Sequence, residues 1–202
     1  MIGLCCSLLL IAGSGLVRPT LSEAYAHLAL FPEGIRLAVR DEARRGPEGV
    51  RAVRSAADWW EEALDVPGYF TLVAPGGGAL VEVSVVTSLP EGRNVAGYTR
   101  WTRRVTRCGD TVVKQTFEAD LRVRAMDPAA MRHAAAHELG HLLGLPDSPR
   151  LGDVMGPIDL RRPRFSLDPT DRAALRGALT ASGARRVRTT DDAKPLGRPP
   201  RV

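Results

Sequence analysis

Apolar residues recur along the chain with two different spacings, and these spacings predict its secondary structure. Where apolar and polar residues alternate, the spacing is that of a strand with one buried face. Five segments share this spacing, at residues 35–39, 69–73, 81–86, 95–101 and 117–124. The basic stretch between the last two has a turn sequence at Cys108-Gly109-Asp110, so we expect residues 101–116 to form a hairpin.

The three-to-four-residue spacing of an amphipathic helix begins at Pro47. Proline suits the first position of a helix, and Glu48 suits the positive end of the helix dipole. The predicted apolar face of this helix consists of Val50, Val53, Ala57, Trp60 and Leu64. We interpret the Trp59-Trp60 pair as part of the packing and not as a ligand site.

Two further helices are predicted from a repeated start signal, an aspartate followed by proline. Asp127 caps a helix that runs from Pro128 to about Leu143. The second signal, Asp168-Pro169, begins a helix that we expect to pack on the core. Its core-facing residues are predicted to be Ala173, Leu175 and Leu179. The mixture of strands and helices predicts an α+β fold in one domain.

The N-terminal segment predicts export. Residues 2–17 are almost wholly apolar and uncharged, and Ala24-Tyr25-Ala26 provides a signal-peptidase site, so residues 1–26 are predicted to be a signal peptide of a secreted protein. The alternative is an uncleaved membrane anchor, because no lysine or arginine precedes the apolar stretch. Cleavage would leave Cys108 as the only cysteine, which excludes an intramolecular disulfide in the mature protein.

Residues 27–180 are predicted to form the domain, and residues 181–202 a disordered basic tail. The tail has six basic and two acidic residues, which give four of the chain's five net positive charges. Only two residues of the whole chain are lysines, and no aromatic residue lies among the tail arginines. We therefore expect no specific nucleic-acid partner, and we expect a monomer.

The stretch His137-Glu138-Leu139-Gly140-His141 has the composition of a catalytic zinc site. His137 and His141 are four residues apart on a predicted helix, so both imidazoles project from one face and can reach one ion. Neutral imidazole nitrogens are preferred zinc ligands, and a catalytic site holds three protein ligands and an open position. Glu138 is placed to act as a general base toward zinc-activated water.

The third ligand is predicted to be Asp147. Gly144 can end the helix in a left-handed conformation, so the chain turns back and brings a carboxylate to the open side of the ion. Asp153 and Asp159 also follow the helix and are alternatives, although Asp153 is expected to cap a turn. His133 lies one turn before His137, and we expect it not to bind the ion, because a helix directs only two adjacent turns at one metal.

The full pattern resembles the signature of the metzincin zinc endopeptidases, HExxHxxGxxH or HExxHxxGxxD followed by a methionine turn. The aspartate form is similar to that of snapalysin. The distance from Asp147 to Met155 and the segment 166–175 are more similar to the matrixins and their bacterial relatives. The similarity covers residues 35–180. The chain departs from the matrixins at Asp147, where they usually carry histidine, and it lacks their histidine-rich structural-zinc loop.

The resemblance implies a twisted, mostly parallel five-stranded sheet with an antiparallel edge strand, an active-site helix and a C-terminal helix. It places the strand at residues 95–101 at the edge beside the cleft, where an extended peptide can bind as an added strand. Met155 is expected to form an apolar floor beneath the metal, since a thioether is a poor zinc ligand. Residues 156–164 are expected to line part of the specificity pocket.

The predicted function is that of a secreted, Zn²⁺-dependent endopeptidase that hydrolyses protein or peptide substrates. Glu138 is the predicted catalytic residue, His137, His141 and Asp147 hold the metal, and Gly144 and Met155 support the site. The alternative is a non-catalytic extracellular zinc-binding domain of the same fold. That class would be marked by loss of the general base while the ligands remained, and Glu138 is present.

Overall fold

The computed structural model describes residues 6–13, 31, 34–90, 95–108, 111–159 and 165–181. Its strands are β1 (Cys6–Gly13), β2 (Ile35–Asp41), β3 (Phe70–Val73), β4 (Val81–Val86), β5 (Gly97–Cys108) and β6 (Thr111–Arg124). Its helices are α1 (Pro47–Leu64), α2 (Pro128–Leu142) and α3 (Pro169–Ala181). The fold is α+β, as the sequence predicts. The proposed cleavage site at Ala24-Tyr25-Ala26 and residues 182–202 of the predicted tail lie outside the described residues.

The strands form one sheet in the order β1-β5-β6-β4-β2-β3. Strands β6, β4, β2 and β3 are parallel neighbours, while β5 is antiparallel to β6. From β2 onward this is the mostly parallel five-stranded arrangement with an antiparallel strand at one side that we expected. Strand β1, inside the predicted signal peptide, adds a sixth strand antiparallel to β5. The signal peptide itself stays a prediction.

Among the described strands, β5 is therefore an edge strand from Gly97 to Arg100, which agrees with the prediction for residues 95–101 except at Trp101. Residues 6–13 pair with it from Trp101 to Cys108. Among the described strands, none pairs with the outer side of Gly97 to Arg100. The predicted hairpin is present, since β5 and β6 pair from Gly97 with Val123 to Cys108 with Thr111. Its turn residues 109–110 lie outside the described residues.

Helix α1 follows its predicted bounds and packs on α2 and on the sheet. Trp60 is fully buried, and its indole nitrogen donates to the carbonyl of Ala136 in α2 at 2.8 Å. This bond joins the core helix to the helix that carries the predicted metal ligands. Trp59 packs edge-on against Trp60 and Phe165, so the tryptophan pair is part of the packing.

Three details of the predicted core are wrong. Val50 is 38% exposed, because the first turn of α1 turns Gly49 and not Val50 toward Val85 of the sheet, and Gly49 and Ala52 are buried there instead. Ala173 is exposed in α3, whereas Leu175, Ala178 and Leu179 are buried. Strand β4 is mostly buried on both faces and not only on one, because it lies between two parallel neighbours.

In the described residues, no helix is long and apolar enough to cross a membrane.

Candidate metal centre and cleft

Helix α2 carries two of the predicted metal ligands and begins with the predicted cap. The carboxylate of Asp127 accepts a hydrogen bond from the backbone N–H of Ala129 at 2.9 Å, and Pro128 occupies the first turn. The helix is buried over most of its length, so its position is fixed from several sides. His137 and His141 lie one turn apart on the side that faces the cleft, with ring centroids 4.9 Å apart.

The C-terminus of α2 reverses at Gly144, as predicted. Gly144 has φ 91°, a left-handed conformation that costs glycine little. The N–H of Gly144 donates to the backbone carbonyl of His141 at 3.0 Å, and the N–H of Leu145 donates to the backbone carbonyl of Gly140 at 3.0 Å. These two bonds form a Schellman motif. The reversal brings Asp147 back across the end of the helix toward both histidines.

The predicted ligands converge. Oδ1 of Asp147 lies 3.2 Å from Nε2 of His137 and 3.5 Å from Nε2 of His141. The three residues form a group that can hold a metal ion, because their ligand atoms all lie within 4.8 Å of one another. Neither Asp159 nor Asp153 belongs to this group. Of the three aspartates considered as the third ligand, all within the described residues, Asp147 is the one that lies with the two histidines.

Backbone carbonyls fix the orientation of both imidazoles. Nδ1 of His137 lies 2.9 Å from the carbonyl oxygen of Val154, and Nδ1 of His141 lies 2.9 Å from that of Leu145. A carbonyl oxygen can only accept, so each Nδ1 must carry the hydrogen and donate it. In a neutral ring this leaves a lone pair on Nε2, the atom that faces Asp147.

The charges of the group depend on one another. Hydrogen bonds from His137 and His141 hold the pKa of Asp147 well below its ordinary value. Burial lowers the pKa of His141, but the hydrogen bond to Asp147 and the charge of Glu138 outweigh it, and the net shift is upward. A metal ion binds imidazole nitrogens and carboxylates in their deprotonated forms, so its binding at this group would depend on pH.

Glu138 lies beside the metal group and is only 4% exposed. Burial raises the pKa of its carboxyl group, while the nearby charges of His137 and His141 oppose the shift. Its Oε2 accepts a hydrogen bond from the hydroxyl of Thr99 at 2.5 Å. Gly97 passes so close that a Cβ atom there would overlap the carboxylate. Strand β5 thus holds the predicted general base from the side opposite α2.

Met155 lies in a tight turn next to Val154, whose carbonyl contacts His137. Asp153 caps this turn, as predicted, by accepting a hydrogen bond from the N–H of Met155 at 3.1 Å. The N–H of Ser148 donates to the carbonyl of Met155 at 2.7 Å, which ties the turn to the segment that carries Asp147. Met155 is 1% exposed, and its sulfur packs on Gly140, where a Cβ atom would overlap it.

His133 is not part of the metal group. It is 1% exposed, and its ring stacks on Phe165 with centroids 4.5 Å apart. Neither ring nitrogen has a hydrogen-bond partner among the described residues. Burial, with a smaller contribution from His137, lowers the pKa of His133 to about 4. It is a neutral core residue outside the group whose ligand atoms converge.

A cavity of about 450 Å³ opens beside these residues. It is lined by Val95, Ala96, Gly97, Arg124, His137, Glu138, Asp147, Ser148, Met155, Gly156, Pro157 and Ile158. The predicted pocket residues Gly156, Pro157 and Ile158 are therefore at its wall, whereas residues 160–164 lie outside the described part of the chain. The cavity has room for part of an extended peptide next to Glu138.

Sequence reasoning missed four residues of the site: Gly97, Thr99, Arg124 and Gly140. An isolated glycine inside a strand pattern indicates a close approach of another group, so the close contact at Gly97 could have been predicted from the sequence. Gly140 had a weaker one, as a glycine in the middle of a helix. Thr99 and Arg124 had none, because only the pairing of β5 with β6 brings them to the cleft.

No protein-family model matches the chain, and no curated protein is significantly similar to it. The resemblance to the metzincins therefore depends on the motif residues.

Proposed function

We propose that this protein is a secreted zinc-dependent endopeptidase with a metzincin-type catalytic domain. The observation that carries the proposal is the convergence of two imidazole nitrogens and one carboxylate oxygen next to a buried glutamate, at the wall of an open cavity. The motif resemblance supports the same reading. Secretion is supported by the apolar N-terminal segment and its small-residue cleavage sequence.

The donor set and its spacing fit zinc. Zinc in proteins is commonly tetrahedral, with nitrogen and oxygen ligands at ~2.0–2.2 Å. Ligand atoms of such a tetrahedron are about 3.3 to 3.5 Å apart by simple geometry. The distances of 3.2 and 3.5 Å from Oδ1 of Asp147 to the two Nε2 atoms agree with this value. Three protein ligands leave a fourth position, which is typical of catalytic and not of structural zinc.

A bound zinc ion would supply Lewis acidity, polarising a peptide carbonyl and making a coordinated water more acidic. Glu138 would accept a proton from the attacking water while the water oxygen forms a bond to the carbonyl carbon of the substrate. It would then deliver this proton to the leaving nitrogen as the C–N bond breaks. Burial raises the pKa of Glu138, which suits a group that must both accept and return a proton.

The chain's other residues would orient the reactants. Thr99 holds one oxygen of Glu138, so the rotation of the carboxylate is restricted. The outer side of Gly97 to Arg100 can pair with an extended peptide, which gives affinity through main-chain hydrogen bonds. Pro157 and Ile158 add apolar surface for a substrate side chain. These contacts favour an unfolded or extended segment over a folded surface.

Metal removal and replacement test the proposal. Purified protein should cleave an unfolded protein substrate, lose this activity when zinc is chelated, and regain it on adding one equivalent of zinc. Firm zinc binding without cleavage across a broad peptide library would support the non-catalytic alternative. If the protein binds no zinc, both readings are wrong.

A further inference from the structure

The outer side of β5 begins at the cavity and continues along a two-stranded ribbon. Gly97, near the start of the strand, lines the cavity together with Glu138. Among the described strands, β4 pairs with β6 only from Ala119 to Arg124, so residues 102–108 and their partners in β6 extend beyond the central sheet. A two-stranded ribbon is only marginally stable in water, and a third strand would stabilise it.

Strand β1 shows what kind of segment the ribbon accepts. Its eight residues, Cys6–Gly13, pair antiparallel with β5 from Cys108 to Trp101. We call this outer side of β5, from Trp101 to Cys108, the distal edge. The segment that pairs there, CSLLLIAG, is apolar, uncharged and free of proline. Because strand pairing uses main-chain hydrogen bonds, the distal edge should accept other extended apolar segments of this length.

The segment that occupies the distal edge lies inside the predicted signal peptide, residues 1–26. Once cleavage removes it, no described strand would cover the outer side of β5 from Gly97 to Cys108. A long open edge is a template for pairing with another extended chain. Pairing between two copies of this protein would bring together the three arginines of residues 103–107 from each chain, which disfavours a dimer. An uncharged segment of another molecule avoids this repulsion.

The direction of β1 indicates which side of a substrate would lie on the distal edge. Strand β5 runs away from the cavity, and β1 runs the opposite way, toward it. A peptide in the place of β1 would therefore point its C-terminal end toward Glu138. About four more residues, opposite Gly97 to Arg100, would carry it ~13 Å farther, at ~3.3 Å per residue. The part on the distal edge would thus precede the scissile bond.

We propose that the distal edge of β5 is an exosite that binds an extended apolar segment upstream of the scissile bond. This proposal rests on the peptidase function and the export proposed above, and it adds a substrate class to them. The substrates would be proteins with an unfolded, uncharged stretch on the N-terminal side of the cleaved bond. Pairing at the exosite would lower KM and leave kcat unchanged, because it does not contact the reacting atoms.

The test uses the secreted, zinc-loaded protein, after mass spectrometry has established its first residue. Three peptides share a short core that this protein cleaves: the core alone, the core with an apolar extension upstream, and the core with the same extension downstream. The upstream extension should raise kcat/KM by about tenfold or more, through KM. The downstream extension should leave it near that of the core. Equal effects of the two extensions would overturn the proposal, and so would a secreted protein that retains residues 6–13.

N-methylation of the extension distinguishes strand pairing from general hydrophobic attraction. In an antiparallel pair, the N–H groups of alternate residues point at the neighbouring strand, and the others point away. Two peptides are therefore made, each methylated at one of the two alternating sets of amides. One peptide should lose the advantage of the upstream extension, and the other should keep most of it. Equal losses in both peptides would overturn the proposal.

A peptide with the sequence of residues 6–13, carrying Cys6→Ser to prevent oxidation, serves as a competitor. It should raise KM for the upstream-extended peptide several-fold and leave cleavage of the core unchanged. The matched control is the same competitor with N-methyl groups on the amides that point at β5, and it should have no effect. Equal inhibition of the core and the extended peptide would place the competitor in the catalytic cleft and would overturn the proposal.

Equilibrium binding separates this proposal from the peptidase proposal. The fluorescently labelled upstream-extended peptide and its two methylated forms are titrated with zinc-loaded Glu138→Gln protein. Binding that only one methylation pattern abolishes, without cleavage of any peptide by wild type, would support the distal edge as a binding site and contradict the peptidase. Cleavage of the core with no advantage from the extension would support the peptidase and overturn the exosite. Neither binding nor cleavage would overturn both.

Discussion

The hydroxyl of Thr99 in β5 donates a 2.5 Å hydrogen bond to Oε2 of Glu138 in α2. Both side chains are buried, at 8% and 4% exposure. The same hydroxyl is 3.2 Å from the backbone carbonyl of Glu138, but its single hydrogen favours the nearer oxygen. The contact joins the sheet edge to the proposed general base. The alignment that we propose for catalysis therefore depends on a strand far from the motif in sequence.

Thr99→Val should lower kcat by about tenfold and leave KM nearly unchanged. The hydroxyl orients Glu138 and its hydrogen bond opposes the rise of the Glu138 pKa caused by burial, whereas well-positioned general bases contribute ~10²–10⁴-fold in total. Thr99→Ser keeps the hydroxyl and should retain most of the rate. Steady-state kinetics of both variants at equal zinc content provides the measurement. Equal losses in the valine and serine variants would indicate a packing role instead.

Asp147→Ala should weaken zinc binding by more than about 100-fold, because it removes a direct ligand. Asp153→Ala should change zinc affinity by less than about tenfold. It should lower the free energy of unfolding by about 1–2 kcal/mol, since the capping bond to Met155 is lost. Competition titrations with a chromophoric chelator measure both affinities. Undiminished affinity in Asp147→Ala would remove it from the site.

Asp147→His should keep the metal and shift the acidic limb of the pH–rate profile to lower pH. A carboxylate ligand adds negative charge and makes the metal a weaker Lewis acid than a third imidazole would. The measurement is the pH dependence of kcat/KM for both proteins at saturating zinc. An acidic limb that stays in place would show that the third ligand does not control the acidity of the site.

Gly140→Ala should lower the free energy of unfolding by about 1–3 kcal/mol, because the added methyl group overlaps Met155 and comes within 3.1 Å of Trp60. Met155→Leu alone conserves volume and should cost less than about 1.5 kcal/mol, with activity largely kept. Met155→Val in the Gly140→Ala background should restore part of the loss. Denaturant unfolding of this mutant cycle tests the contact, and strictly additive effects would contradict it.

His133 should make the metal-free protein less stable in acid. Its pKa is about 4 when folded against 6.5 when unfolded, so protonation favours the unfolded chain. Its contribution to stability is complete above pH 6.5 and is lost as the pH falls toward 4. Between pH 7 and 4.5, wild type should therefore lose about 2 kcal/mol more than His133→Leu. If chelator-treated wild type and His133→Leu lost equal free energy of unfolding as the pH falls, the titrating group would be a residue other than His133.

The local structure was largely predictable from the sequence. Asp127 and Pro128 specify the start of α2, and Gly144 specifies its end, because these residues act on neighbouring backbone groups. The convergence of Asp147 with the histidines followed from the same local signals. The predicted ligand positions and the turn at Met155 agree with the structure for this reason.

The contacts between residues distant in sequence depend on strand pairing, which the periodicity of a single strand does not encode. Thr99 approaches Glu138 only because β5 is antiparallel to β6, and Arg124 reaches the cavity only through the same pairing. The exposure of Val50 also depends on which side of α1 meets the sheet, where Gly49 lies against Val85. The sequence likewise gave no indication that Cys6–Gly13 would pair with β5.

The central claim is that Glu138 carries the proton in zinc-dependent peptide hydrolysis, and Glu138→Ala tests it most directly. Wild type and variant are purified with zinc, their metal content is measured by mass spectrometry, and cleavage of one unfolded protein substrate is followed. We expect one zinc per chain in both proteins and a loss of at least about 100-fold in the cleavage rate of the variant. Cleavage by Glu138→Ala at the wild-type rate would contradict it.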